Sequence, residues 1–206
     1  AITQDGLFTA PPTTGQYRVH AAHPDVPKGW DAPVTVGQAE VPDGVLRHWL
    51  LLGAFPDEDG AGLDNAYIPE TIVLPSHGET LAGATWVSYA APTPFVDLTE
   101  RLSPAVNAVA YAHVYVKSPA EMDAALVVGS DDGIAMWLNG APVYSLRVRR
   151  AADPNQARVP IHLRVGWNRL LVKVDQASGS WGFYLRVQAR DGQPLADLAY
   201  TLDNPL

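Results

Sequence analysis

Gly129-Ser130-Asp131-Asp132-Gly133-Ile134-Ala135-Met136-Trp137-Leu138-Asn139-Gly140 is the stretch on which the fold of this chain turns. Gly129 to Gly133 has the Ser/Asp/Gly composition of a tight turn, where short polar side chains bond back to the backbone and glycine accepts positive φ. Ile134, Met136 and Leu138 then alternate with Ala135, Trp137 and Asn139, the period of a strand with one face buried. Asn139-Gly140 is the strongest two-residue hairpin signal, and Val143 and Tyr144 begin the returning strand. The stretch predicts an acidic turn, a strand and a hairpin.

The same alternation recurs outward from it. Ala108 to Lys117 sets Ala110, Ala112, Val114 and Val116 on one face and Tyr111, His113, Tyr115 and Lys117 on the other. Val159, Ile161, Leu163 and Val165 alternate with Pro160, His162 and Arg164, and Trp167-Asn168 turns the chain into Leu170, Val172 and Val174. Phe183, Leu185 and Val187 form a further strand, and Leu195 to Leu202 closes an edge. Upstream, Arg47 to Phe55 is a dense apolar run ended by Gly53 and Pro56, and Asp123 to Val128 leads into the acidic turn. Weaker strands are expected at Thr71 to Leu74, Thr85 to Tyr89 and Pro94 to Leu98, with a helical turn at Thr99 to Leu102. About ten short strands spaced roughly 8–12 residues apart predict an all-β, antiparallel β-sandwich or jelly roll.

Residues 1–44 contain Pro11-Pro12, His23-Pro24, Val26-Pro27 and Ala32-Pro33, which rule out continuous helix or central strand there. They are expected to form a Pro-rich arm or linker packing on the sandwich, with short edge strands at Gln16 to His20 and Pro33 to Val36. Residues 45–206 are expected to form the binding sandwich. His20 and His23 are three apart, but proline makes the helix that would pair them on a metal unlikely to form.

A chain of 206 residues, 47% of them hydrophobic, is long enough to bury a real core. The formal net charge of −8 would repel a phosphate backbone, so no nucleic-acid partner is expected. No apolar run approaches the ~18–20 residues of a spanning helix, so no membrane insertion is expected. The absence of cysteine excludes disulfides, thiolate catalysis and zinc–cysteine sites. The chain begins at Ala1, so a mature or excised form is expected.

The run Ser130 to Gly140, with Gly166-Trp167-Asn168-Arg169-Leu170-Leu171-Val172-Lys173-Val174 and Trp181-Gly182-Phe183, resembles the galactose-binding-like β-sandwich modules appended to bacterial secreted polysaccharide-degrading enzymes. Trp49 to Pro56 and Leu63 to Glu70 are similar to the opening of those modules. The paired Asp131 and Asp132 resemble the sugar-binding PA14-like domains, in which two adjacent aspartates hold a calcium ion that contacts the sugar. The resemblance implies a secreted, extracellular or periplasmic, bacterial carbohydrate-binding module. Its partners would be a polysaccharide or oligosaccharide and a catalytic domain in the parent protein.

Each candidate site has a bland reading beside the functional one. Asp131 and Asp132 suit a hard cation such as calcium, or else cap the turn and pair with Arg147, Arg149 or Arg150. Asp57, Asp59 and Asp64 form a second acidic loop, a structural calcium site or a solvated turn. Tyr111, His113 and Tyr115 on one strand, and Tyr184 and Arg186 on the non-core face of another, can stack on sugar rings and hydrogen-bond hydroxyls, or pack as cross-strand pairs. Trp181, in a small-residue loop, stacks on sugar or packs. Arg149 can meet an acidic sugar bidentately or pair with a neighbouring acid. No nucleophile elbow, metalloprotease, P-loop or dinucleotide motif is present, so no catalytic residues are assigned.

A non-catalytic carbohydrate-binding module is the function expected, with a loop-end site at Asp131, Asp132 and Trp181 or a sheet-face site at Tyr111 to Tyr115. A structural module that binds no sugar is one alternative. A small lyase or hydrolase is another, and it would require a cleft bringing Tyr111, His113 and Arg186 together.

Overall fold

The computed structural model describes residues 44–206 except 58, 59 and 196, together with the backbone of strands β1 (Gly15–Ala21), β2 (Trp30–Val36) and β3 (Ala39–Glu40). Two compact units result, Ala1–Ala39 and Glu40–Leu206. In the first, β1 and β2 pair antiparallel, with Tyr17 opposite Val34. These are the two places where short strands were expected. The packing of the arm on the sandwich and the His20 and His23 side chains lie outside the described residues.

The second unit continues with β4 (His48–Pro56), β5 (Thr80–Leu81), β6 (Ala84–Thr85), β7 (Val87–Ala90), β8 (Phe95–Asp97), β9 (Ala108–Ser118), β10 (Met122–Asp131), β11 (Ile134–Leu138), β12 (Ala141–Leu146), β13 (Ala157–Leu163), β14 (Gly166–Gln176), β15 (Gly182–Ala189) and β16 (Ala199–Thr201). A 3₁₀ turn, Leu98–Glu100, stands where the helical turn was expected, capped by the Asp97 carboxylate. The architecture is an all-β antiparallel sandwich. Its smaller sheet has the order β13-β10-β15-β8. In its larger sheet β12, β11, β14 and β9 follow one another, and β4 and β16 pair along the far side of β9.

The quoted stretch folds largely as read. Ile134 to Leu138 is central strand β11, and Asn139 (φ 53°) with Gly140 (φ 83°) makes the hairpin to β12. The acidic turn is shorter than expected, because β10 runs through to Asp131 and only Asp132 and Gly133 leave the ladder. Gly129 belongs to the strand: a Cβ there would lie 1.6 Å from the Asp153 carbonyl oxygen.

Between the sheets lie the even-numbered residues of β9 and β14 and the facing residues of β10 and β15, joined by the edge-to-face pair Trp49 and Phe183 at 5.0 Å. The outer face of the larger sheet is buried as well. Leu63, Ile68, Val73 and Trp86, from the segment between β4 and β7, close over Leu50, Leu52, Tyr111, Leu171 and Trp137 as a second core. This cover carries no long strand, so its backbone groups need other partners. Two cations of β14 supply them. Lys173, wholly buried, donates to the carbonyls of Leu63 (3.0 Å) and Asn65 (2.7 Å) and to the Glu70 carboxylate (2.9 Å), and Arg169 donates to the carbonyls of Thr71 and Val73.

The expected strand Thr71 to Leu74 is therefore corrected to a turn, its carbonyls facing a guanidinium instead of a neighbouring strand. Lys173→Met should leave two carbonyls and a carboxylate without their shared donor. A loss of about 3 kcal/mol, read as a lowered urea midpoint at unchanged slope, is expected.

Candidate functional site

The loop-end residues are placed by the crossing of β10 into β11. Asp131 and Asp132, joined by a cis peptide bond, are only 8% and 6% exposed. Asp132 is fully engaged: Oδ1 accepts from the Arg150 backbone N–H (2.9 Å), and Oδ2 from the Ala177 N–H (3.1 Å) and the Arg149 guanidinium (3.3 Å). Arg149 also donates to Asp175 at 2.9 Å, so one guanidinium bridges two carboxylates. Arg150 reaches back to the hydroxyl and carbonyl of Ser130. Asp131 accepts no hydrogen bond among the described residues. Burial first, and the Asp132 charge second, push its carboxyl above its ordinary range.

This donor set does not fit a calcium ion. Both Asp132 oxygens are taken by N–H donors, and the position between Asp132 and Asp175 already holds a positive charge. Nor does the second acidic loop converge on a metal. Asp57 is buried and accepts from the Gly62 N–H at 2.6 Å, whereas Asp64 is 77% exposed and pairs with Arg147. Asp59 lies outside the described residues. Among the described residues no three His, Asp or Glu side chains gather as a metal set.

Trp181 is corrected from a stacking residue to a core residue. It is wholly buried between the sheets, and its indole N–H faces the Val174 carbonyl at 3.4 Å. Tyr111, His113 and Tyr115 share one face of β9 as read, but that face lies under the cover and all three are 0% exposed. Tyr111 donates to Glu70 at 2.6 Å, Tyr115 approaches the Pro75 carbonyl at 3.5 Å, and His113 stacks edge-on against Tyr115 and Trp86. Desolvation holds His113 well below the ordinary histidine range, so it is neutral. A sugar ring cannot reach these aromatics, and the platform expectation is corrected for that reason.

Tyr184 and Arg186 are the predicted sheet-face residues that the structure leaves partly open. Both lie on the outer face of β15 in the smaller sheet, where Tyr184 stands opposite Phe95 of β8 and Gly129 of β10, and Arg186 opposite Val127. A cavity of about 400 Å³ opens there, walled by Tyr184, Arg186, Pro94 and Pro154 over a floor of Val127. The Tyr184 ring leans on Phe95 at 5.1 Å and 47°. Arg186 donates one N–H to the Asn155 side chain, and its buried Nε has no acceptor among the described residues. Phe95, Pro94, Pro154 and Val127 were not foreseen. The strand order that brings β8 and β10 to either side of β15 carries no local signal.

Tyr111 and His113 belong to the larger sheet and Arg186 to the smaller, so no cleft brings the three together.

No family model matches the chain, and no curated protein matches it. Solved structures do. Epithelial Adhesin 9 A domain from Candida glabrata, in complex with Galb1-3GlcNAc, is 12% identical at a TM-score of 0.48, over 82% of this chain and 95% of that one. An anti-sigma factor domain-containing protein from Clostridium clariflavum is 8% identical at 0.44, over 70% and 43%. A PA14 sugar-binding domain from an RTX adhesin is 10% identical at 0.40, over 71% and 93%. The chain spans about half the length of the anti-sigma factor domain-containing proteins it matches, 43% and 48%.

Two outcomes follow for the acidic turn. Arg149→Ala should leave the buried Asp175 and Asp132 without their shared cation and cost about 2 kcal/mol, less than a fully buried pair because Arg149 is itself 48% exposed. The raised Asp131 carboxyl binds its proton more readily folded than unfolded, so its contribution to stability is present below pH 3.8 and lost as pH rises through the raised value. Asp131→Asn should therefore raise the urea midpoint at pH 7, and the gain should shrink to nothing towards pH 3.

Proposed function

We propose that the chain is a non-catalytic carbohydrate-binding module that holds an attached or partner enzyme, in a secreted or periplasmic protein, against a polysaccharide. The observation that carries this reading is the cavity on the outer face of the smaller sheet, with the half-buried Tyr184 ring and the Arg186 guanidinium on its wall. A ring held rigidly on a sheet can lie against the apolar C–H face of a sugar, and a guanidinium beside it can donate to hydroxyls. Phe95 packs on Tyr184 from the neighbouring strand, which limits the movement the ring would lose on binding.

Binding of this kind is weak per site, since hydroxyls must leave water for each stacking contact. Its use is localisation: tethering raises the effective concentration of a catalytic domain at the polymer without adding a catalytic group. This reading needs no calcium, because the cavity lies on the sheet face and Arg149 already occupies the position between Asp132 and Asp175. The second reading, a docking module that binds no sugar, is favoured by the exposed Ile72 (72%) and Leu74 (43%) on the cover.

Affinity electrophoresis of the wild type against soluble neutral and acidic polysaccharides tests the proposal. At least one polymer should retard the protein equally with calcium and with EDTA, and Tyr184→Ala should weaken that retention about fivefold to tenfold. Retardation by no polymer would sink the module reading and leave the docking one.

A further inference from the structure

We propose that the outer face of the smaller sheet selects an anionic glycan, one bearing carboxylate or sulfate groups, over a neutral one. This rests on the binding reading above and goes further by assigning the charge of the ligand. The chain has 14 Lys and Arg against 22 Asp and Glu, so an average patch of its surface is acidic. The part of the outer face of β10 from Ala125 to Val127 departs from that average, beyond Asp123, which pairs with His162 and Arg190. Val127 floors the first cavity, and two residues along the same face Ala125 floors a second hollow of about 370 Å³, walled by Arg158, Pro160 and Arg190. Among the described residues no Asp or Glu lines either hollow.

The pairing register sets cations on both sides of β10, Arg186 at the first hollow and Arg158 at the second. Val127 stands opposite Arg186 on β15 and opposite Arg158 on β13, so the two arginines flank it across three strands, about 10 Å apart at the backbone. Arg158 is held upright by the carbonyls of Ala189 and Arg190 and by the Gln188 side chain, none of which neutralises it. Arg186 is held by the uncharged Asn155, with its Nε lacking an acceptor. Only Arg190 meets a carboxylate, that of Asp123 at 3.4 Å. Two guanidiniums fixed by neutral groups keep their charge for a ligand: Arg158, whose Nη2 hydrogens both go to carbonyls, acts as a fixed positive charge, and Arg186, with a single bond to Asn155, keeps N–H groups for a carboxylate or sulfate. Tyr184 on the wall of the first hollow supplies the surface for the sugar ring that carries the anion.

The test is affinity electrophoresis of the full chain in polygalacturonate, in the carboxyl-reduced form of the same polymer, in a sulfated galactan and in single-stranded DNA. The wild type should bind polygalacturonate or the sulfated galactan at least tenfold more tightly than the reduced polymer. Arg186→Gln should bring that ratio below about threefold, weakening the anionic polymers far more than the reduced one, which loses only a hydrogen bond to a hydroxyl. Pro94→Glu, which adds a carboxylate at the exposed cavity rim without touching Arg186, should lower anionic binding in the same way and serves if Arg186→Gln fails to fold. Equal binding of the charged and reduced polymers, both weakened by Tyr184→Ala, overturns the anion preference and leaves the module reading standing. Anionic binding that neither Arg186→Gln nor Pro94→Glu alters, or DNA binding as tight as that of the glycans, overturns it too. Retention by no polymer overturns both.

Discussion

The structure depends on two cations of one strand, Lys173 and Arg169, reaching out of the larger sheet to satisfy the carbonyls of a segment that has no strand to pair with. A sheet face left open would expose Leu50, Leu52, Leu171 and Trp137, and a segment laid over them would bury unpaired backbone. The β14 cations resolve both difficulties together. Lys173 also lies against the Tyr67 and Tyr111 rings, at 5.6 and 5.5 Å, and Glu70 joins it to the Tyr111 hydroxyl. Burial lowers the Lys173 pKa, while Glu70 opposes that shift and favours the charged form. The result is a sandwich with two apolar layers, one between its sheets and one beneath the cover.

That double burial decides where the molecule can meet a ligand. The aromatic row Tyr111, His113 and Tyr115 becomes packing, and among the described residues the sheet face left uncovered is the outer side of the smaller sheet, where the proposed site lies. There the central strand β10 presents Val127 and Ala125, flanked by the longer side chains of β15 and β13. Short side chains between long ones make hollows, and the walls hold arginines and an aromatic ring. The acidic turn at the end of the same strand serves the fold instead. Arg149 ties it to Asp175 on β14, and the backbone N–H groups of Arg150 and Ala177 hold Asp132 in place. The arginine and the backbone donors compensate Asp132, while Asp131 accepts no hydrogen bond among the described residues.

Much of the fold was legible because a strand writes its two faces into the chain with period two. The hairpin at Asn139-Gly140, the alternation of Ala108 to Lys117 and the strands on either side of Trp181 could all be read from local composition. The reading failed where an element's role depends on a distant partner. Thr71 to Leu74 looked like a strand from its β-branched residues, but Arg169, far along the chain, takes its carbonyls. Trp181 looked exposed among Gly and Ser, yet the loop carries it into the gap between the sheets.

The sequence by itself determined an all-β antiparallel sandwich, the faces of its strands, and the membership of Tyr184 and Arg186 in an outward face, because alternation and turn chemistry are local properties. Only the tertiary structure decided which outward face stays open. The faces of β9 and β15 carry similar aromatic and cationic residues, and periodicity cannot tell them apart. What separates them is the cover between β4 and β7, which docks on the larger sheet through contacts spanning roughly a hundred residues of chain. Such pairings leave no local trace, since they depend on strand order and not on the spacing of neighbours.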